Sequence, residues 1–192
     1  LGGLARGGAG LVIAEATAVS PEGRITPGDA GLWADEHTEP LVRINRFVKS
    51  QGAVPGIQLA HAGRKAGAAR PWEGGAHLLD EAGGWTPVAP SAVAFGGGLN
   101  RVPHELTIAE IRALQENFVT AARRALVAGY EWLELHGAHG YLAHQFLSPI
   151  SNRRTDDYGG SFENRIRFLL ETTRAVRAVW PGHLPLTVRL SC

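Results

Sequence analysis

The stretch that decides the fold is EWLELHGAHGYLAHQFLSP, residues 131–149. Its first part, residues 132–136, is a short apolar run of the kind that forms a strand buried on both faces of a sheet. Two histidines three positions apart, His136 and His139, follow with glycines around them, and Tyr141 comes next. Polar side chains directly after a buried strand are typical of α/β proteins, whose sites lie at the carboxyl ends of parallel strands.

Three other apolar runs have the same character, and they are residues 10–16, 54–60 and 186–190. Amphipathic helical patterns separate the four runs and cover residues 39–52, 107–129 and 161–182. Thr107 and Glu110 have the spacing of a capping box, and Gly52 and Gly129 are suitable helix ends. Strands that alternate with helices predict a parallel sheet with right-handed crossovers.

Two α/β architectures compete for this pattern. A doubly wound sheet that binds a nucleotide needs a G-x-G-x-x-G motif just after its first strand, whereas the glycine cluster of residues 2–10 precedes that strand. A (β/α)8 barrel carries its chemistry at the carboxyl ends of its strands. Polar residues follow every run here, namely Glu15, Thr17, Gln58, His61, His136, His139 and Arg189. The pattern therefore favours a (β/α)8 TIM barrel, of which four strands are half.

Composition excludes several classes of protein. The 19 basic and 18 acidic side chains of the 192 residues nearly cancel, so we expect no nucleic-acid partner and no membrane surface. No run reaches the roughly 20 apolar residues of a membrane helix. The single cysteine, Cys192, excludes an internal disulfide or a cysteine-based metal site within this chain, and we expect a cytoplasmic location. The chain begins at Leu1 and lacks methionine, so we expect a segment of a longer protein.

The domain organisation follows from the same pattern. We predict one partial barrel domain over residues 1–192, with an insertion at about residues 63–104 that is rich in glycine, proline and tryptophan. Such a segment suits a loop or short hairpin that covers a substrate.

The two histidines of the opening stretch allow three interpretations. A metal site is the weakest, because H-x-x-H lacks the helix and the glutamate of a zinc-binding H-E-x-x-H motif. A purely structural role, in which a histidine caps the strand end, stays open. In the third interpretation the chain turns at Gly137 and Gly140, so that both imidazoles donate to one substrate oxygen. Tyr141 would then supply a proton.

That third interpretation predicts the reduction of an activated double bond. A tyrosine is too weak an acid for most leaving groups, but it can protonate a carbon with enolate character. Hydride must come from a flavin or nicotinamide cofactor. Arg189 suits the N1/O2 edge of a reduced flavin, and Gln58 can donate to and accept from its pyrimidine edge. An ordinary salt bridge or an interior polar residue is the alternative for each.

Longer motifs carry a family resemblance. Residues 134–171, ELHGAHGYLAHQFLSPISNRRTDDYGGSFENRIRFLLE, resemble the signature of the old yellow enzyme family of FMN-dependent oxidoreductases. The stretches GIQLAHAGRKA (56–66), EATAVSPEGRITPGDAGLW (15–33) and APSAVAF (89–95) resemble its bacterial branch of NADPH dehydrogenases and xenobiotic reductases. The likeness covers nearly the whole chain, and it implies an FMN-binding (β/α)8 barrel of which this chain holds roughly the second to fifth strands.

The resemblance also implies a role for individual residues. Ala16, Gln58 and Arg189 would contact FMN, His136 and His139 would bind the activating oxygen of the substrate, and Tyr141 would deliver the proton. Residues 152–167 would be mainly structural, with Ser161 as a helix cap. The implied enzyme is an ene-reductase that passes hydride from NADPH or NADH through FMN to α,β-unsaturated carbonyl compounds.

Rival functions and missing parts follow from the same resemblance. The chain could be the barrel part of a dienoyl-CoA reductase or trimethylamine dehydrogenase-like iron–sulfur flavoenzyme, or a non-catalytic truncated barrel. Family elements that hold FMN would lie before Leu1 and beyond Cys192, so we expect the segment alone to bind FMN weakly. We expect a small-molecule substrate and, for the full-length protein, a homo-oligomer.

Overall fold

The computed structural model describes residues 1–191, and Cys192 lies outside the described residues. In chain order the elements are α1 (Gly2–Arg6), β1 (Leu11–Ala18), α2 (Thr38–Ser50), β2 (Val54–Ala60), β3 (Val88–Ala89), β4 (His104–Glu105), α3 (Ile108–Val127), β5 (Trp132–Gly137), α4 (Leu142–Leu147), α5 (Phe162–Val179) and β6 (Leu186–Leu190).

The main sheet has four strands in the order β1-β2-β5-β6, and every pairing is parallel. The four strands and the three long helices predicted from the sequence are therefore confirmed, within two residues at each strand end. Sequential parallel strands joined by helices are the repeating unit of a (β/α)8 barrel. All the carboxyl ends lie at one edge, where the polar residues of the sequence pattern follow the strands.

The helix boundaries follow from local hydrogen bonds. The Thr107 hydroxyl accepts from the Glu110 backbone N–H, and the Glu110 carboxylate accepts from the Thr107 N–H, which completes the predicted capping box of α3. The Ser161 hydroxyl caps α5 by accepting from the Asn164 N–H. Gly52 follows α2 at φ +80°, a left-handed conformation that glycine adopts without strain.

The core lies between the sheet and the long helices. Ile57 and Leu59 of β2 and Leu133 and Leu135 of β5 are fully buried, in keeping with strands covered on both faces. From the helical side, α3 and α5 pack against each other through Phe118 and Phe168 among others. The two central strands are thus fixed by packing, and they carry Gln58 and His136 of the predicted site, with His139 and Tyr141 just after β5.

Residues 63–104 form an irregular segment at the carboxyl edge. It contains three short 3-10 turns, and β3 within it pairs in parallel with β4, which begins at the last residue of the segment. Isolated antiparallel bridges join Ala68 to His77 and Gly96 to Leu99. The segment is tied to the signature region because Arg154 donates to the Pro90 carbonyl and the Arg153 N–H donates to Ser91.

Helix α4 was not predicted from the sequence. It has only six residues and begins directly after Tyr141, so its single turn and a half carries no hydrophobic period long enough to detect. Among residues 1–191 we find no helix with the length and apolar character needed to cross a membrane.

Candidate active site at the carboxyl edge of the sheet

The chain turns sharply where β5 ends. His139 and Gly140 both take left-handed backbone conformations, with φ of +58° and +72°. The expectation that Gly137 and Gly140 would make the turn is therefore wrong for Gly137, which is the last residue of β5. A Cβ atom at Gly137 would lie 3.0 Å from the Arg189 carbonyl oxygen on β6, so glycine there permits close strand packing.

The turn brings the three predicted catalytic side chains together. The ring centroids of His136 and His139 lie 5.0 Å apart, those of His136 and Tyr141 lie 5.0 Å apart, and those of His139 and Tyr141 lie 6.4 Å apart. All three pairs are close to perpendicular. We call this group the His-His-Tyr cluster.

His136 is a neutral donor in this setting. Its side chain is buried, and its Nδ1 accepts a hydrogen bond from the Ala138 N–H at 3.3 Å. Burial, reinforced by the charges of His139, Arg189 and His144, lowers the pKa of His136 to about 4. A neutral imidazole that accepts at Nδ1 carries its proton on Nε2. His136 therefore presents one Nε2–H, which has no protein acceptor among residues 1–191.

His139 is held by its backbone and exposes its ring. Its N–H donates to the Ser191 hydroxyl at 3.0 Å, and its carbonyl oxygen accepts from the Lys65 ammonium at 2.9 Å. The exposed imidazole makes no hydrogen bond to another of the described residues. Its ring nitrogens are thus free to bind a small molecule beside His136.

Tyr141 lies at the start of α4 and borders a cavity of about 380 Å³. Residues from the loop after β1 and from the insertion form the other walls, and they include Thr26, Asp29, Arg70 and Trp72. Burial, together with the nearby Asp29 carboxylate, raises the pKa of Tyr141 above its usual range. The phenol is therefore protonated at neutral pH, as a proton donor must be.

A hydrogen-bonded ladder crosses the sheet below this cluster. The Gln58 Oε1 accepts from the Ala16 N–H at 3.0 Å, and its Nε2 donates to the Glu134 carboxylate at 2.7 Å. Glu134 also contacts the Thr187 hydroxyl at 3.5 Å. We call this chain of contacts from β1 through β2 and β5 to β6 the cross-strand ladder. It holds Gln58 rigid and leaves one N–H and one lone pair of its amide for a ligand.

Ala16 and Arg189 lie at the two outer strands. Ala16 sits at an irregularity in the β1–β2 register and has φ +44°, which is unusual for a residue other than glycine. Arg189 pairs in register with His136, is exposed, and makes no salt bridge within residues 1–191. The ordinary salt bridge considered as the alternative for Arg189 is absent from that part of the chain.

Sequence reasoning missed residues that hold the site together. Gln145 donates to the carbonyls of Ala62 and Gly140 and accepts from the Arg64 N–H, so it joins the loop after β2 to the turn after β5. Lys65 makes a second connection between the same segments. The sequence offered little indication of these contacts, because they join positions about 80 apart. Its one signal was the cluster of polar residues in HAGRK.

No metal centre accompanies this geometry. Residues 1–191 contain no group of three histidine, cysteine, aspartate or glutamate side chains placed to hold a metal ion. The His-His-Tyr cluster consists of hydrogen-bond donors, with the free guanidinium of Arg189 on the neighbouring strand. Such an arrangement suits an oxygen that gains negative charge during a reaction.

Comparison with known proteins decides the family. Residues 4–192 match the model of the NADH:flavin oxidoreductase / NADH oxidase family. This chain belongs to that family. It is 53% identical over 194 residues to an NADH:flavin oxidoreductase of Gibberella zeae, covering 100% of this chain and 47% of that protein. It is 50% identical over 185 residues to an NADPH dehydrogenase of Bacillus velezensis, covering 96% of this chain and 49% of the relative.

The solved structure of an old yellow enzyme homologue from Zymomonas mobilis has the same fold. The TM-score is 0.83 at 35% identity, over 97% of this chain and 51% of that chain. The resemblance to old yellow enzymes and the prediction of a half barrel are therefore confirmed. The chain spans about half the length of the curated relatives that it matches.

Proposed function

We propose that this chain is the part of an FMN-dependent NAD(P)H oxidoreductase that binds and protonates the substrate, an alkene activated by a carbonyl or similar group. The observation that supports this most directly is the His-His-Tyr cluster, in which a neutral histidine, a second imidazole and a protonated phenol converge with ring centroids 5.0–6.4 Å apart. The names of the relatives support the use of NADH or NADPH as co-substrate.

The two histidines would bind the activating oxygen of the substrate. The Nε2–H of His136 and an N–H of His139 would donate to the same carbonyl oxygen and stabilise the negative charge that develops there. Because His136 is neutral, it would act as a hydrogen-bond donor and would not transfer a proton itself. The polarised double bond then becomes a better hydride acceptor at its β-carbon.

Tyr141 would complete the reduction. Addition of hydride to the β-carbon leaves an enolate, and the phenol would deliver its proton to the α-carbon, so that the alkene gains two hydrogens in total. The raised pKa keeps Tyr141 protonated until it is needed. The phenolate that remains would be reprotonated from solvent, since Tyr141 borders an open cavity.

The residues at the same edge fit FMN. When bound, FMN supplies the hydride equivalents that it takes from NAD(P)H. Gln58 keeps one amide N–H and one lone pair free, and Arg189 has no salt-bridge partner among residues 1–191. With the Ala16 backbone, these groups would hold a flat, polar-edged ring beside the His-His-Tyr cluster.

The test separates two half-reactions in the full-length protein. After anaerobic reduction by NADPH, mixing with 2-cyclohexenone should reoxidise the flavin and yield cyclohexanone. A protein that binds FMN and is reduced but transfers nothing to any electron-poor alkene would contradict the proposal. Cysteine-ligated iron in the purified protein would favour the iron–sulfur alternative, and failure to bind any flavin would favour the non-catalytic barrel.

The remaining predictions from the sequence concern the whole protein. We expect an isolated segment of residues 1–192 to be colourless after purification, because half a barrel offers only part of a flavin site. Stoichiometric FMN in that segment would overturn this expectation. The homo-oligomer and the cytoplasmic location stay predictions.

A further inference from the structure

Lys65, on the loop after β2, contacts the turn of residues 138–141 that follows β5. Its ammonium donates to the His139 carbonyl oxygen at 2.9 Å. The same ammonium lies 5.4 Å from the ring centroid of Tyr141 and 4.3 Å from that of Phe95. A single cation therefore touches the backbone of one proposed catalytic residue and the side chain of another.

The turn needs such a contact because its backbone is strained. His139 has φ +58°, a conformation that residues with a Cβ rarely adopt unless their surroundings hold them there. The His139 N–H is bound by Ser191 and its carbonyl by Lys65, so both sides of the residue are fixed. Gly140 follows at φ +72°, a left-handed conformation that glycine adopts without strain.

The lysine is itself kept in place. Two aromatic rings, Phe95 from the insertion and Tyr141, flank its ammonium, and burial lowers its pKa from the usual range. The adjacent Arg64 is fixed by the carbonyls of Val93 and Ala94. These contacts fix the loop after β2, which holds Lys65 against the turn after β5.

We propose that Lys65 is a positioning residue, which holds the His139 carbonyl and so keeps the His139 imidazole and the Tyr141 phenol aimed at one substrate. The inference rests on the proposed function for the roles of those two side chains. It adds that the loop after β2 sets the geometry of the donors although Lys65 need not touch the substrate.

The test compares three substitutions in the full-length, FMN-loaded enzyme. Lys65→Met removes the charge and the hydrogen bond while keeping the length of the side chain. We expect kcat/KM for 2-cyclohexenone to fall by about 10- to 100-fold, since misplacement by an ångström has effects of that order. Lys65→Arg, which retains a cationic donor, should restore most of the activity, and Lys65→Gln should restore little.

Lys49→Met is the matched control. Lys49 is the other lysine of the sequence, and it pairs with Glu131 at 2.6 Å just before the opposite end of β5. The same chemical change there should leave kcat/KM unaltered. Thermal unfolding of all variants shows whether a loss of activity reflects a loss of fold.

A second measurement reports on the turn without using activity. Amide hydrogen exchange at His139 and Gly140 should become about tenfold faster in Lys65→Met, because a local opening is no longer opposed. Wild-type exchange and wild-type kcat/KM in Lys65→Met would overturn the inference while leaving the proposed function intact. If Lys65→Met does not fold, equal activity of Lys65→Arg and Lys65→Gln would overturn it. A wild-type enzyme that reduces no alkene would contradict the proposed function instead.

Discussion

Two adjacent parts of the signature region, residues 134–171, differ in whether their polar groups are hydrogen-bonded within the protein. In residues 136–141 the Nε2–H of His136 and the His139 ring have no acceptor among the described residues. In residues 151–167 the buried polar side chains are bound within the protein: Arg154 donates to the carbonyls of Pro90 and Leu106 and to the Asp156 carboxylate. Asn152 donates to the carbonyls of Phe146 and Tyr158.

This difference indicates that residues 136–141 serve ligand binding and that residues 151–167 serve stability. Donors that the protein leaves open are available to a ligand, whereas donors bound to buried carbonyls contribute to stability. We therefore expect substitutions in residues 136–141 to change turnover with little effect on unfolding, and substitutions in residues 151–167 to do the reverse. The experiments below test that division, from the largest expected effect to the smallest.

Tyr141→Phe should have the largest effect. Loss of the proton donor is expected to slow alkene reduction by about 10²- to 10⁴-fold, while flavin reduction by NADPH and the unfolding midpoint stay near wild type. Rapid-mixing experiments measure the rate of alkene reduction and the rate of flavin reduction separately. Tyr158→Phe is the matched control, since its hydroxyl donates to Glu171 away from the cluster and its loss should spare both rates. An equal loss in both half-reactions of Tyr141→Phe would show that Tyr141 is not the proton donor.

Arg154→Met should have the largest effect on stability. It leaves the carbonyls of Pro90 and Leu106 without their donor and removes the partner of Asp156, at a cost of about 3 kcal/mol in the free energy of unfolding. Urea unfolding followed by circular dichroism measures the loss. At a temperature where the variant is folded, its kcat/KM should be close to wild type. A tenfold fall there would show that this segment also shapes the site.

Acidification should lower the stability of the folded protein through protonation of His136. Its folded pKa of about 4 lies below the ordinary value of 6.5, so the unfolded chain binds a proton that the folded chain resists. The contribution of His136 to stability is therefore complete above about pH 6.5 and declines as the pH falls toward 4. Histidine NMR signals of the folded protein should include a His136 imidazole that stays neutral at pH 5. His136→Asn should remove both that signal and its share of the pH dependence.

Ser161→Ala should have the smallest effect. Loss of the cap of α5 is expected to cost about 1 kcal/mol of stability and to leave turnover unchanged. Ser161→Asp keeps an acceptor at the same position and should restore the unfolding midpoint. If Ser161→Asp were as unstable as Ser161→Ala, the hydroxyl would not be acting as a cap.

The sequence predicted the sheet and the long helices because their signals are local. Apolar runs of strand length, the capping box at Thr107 and the stop at Gly52 each need only neighbouring residues. It also placed His136, His139 and Tyr141 at one strand end. It did not predict that His139 would adopt the left-handed conformation, nor that Gly137 would serve close packing. His139 is held by Ser191 and Lys65, and Gly137 packs against Arg189 of β6, and all three partners lie 50 or more positions away.

The cross-strand ladder has a consequence for redesign of the pocket. It joins the backbone N–H of Ala16 to side chains on the three neighbouring strands, so the spacing of Ala16, Gln58, Glu134 and Thr187 is set as one unit. We expect that the loops at the carboxyl edge can be exchanged while this spacing is kept. A library that also varies Gln58 or Glu134 would lose the common frame in which those loops are compared.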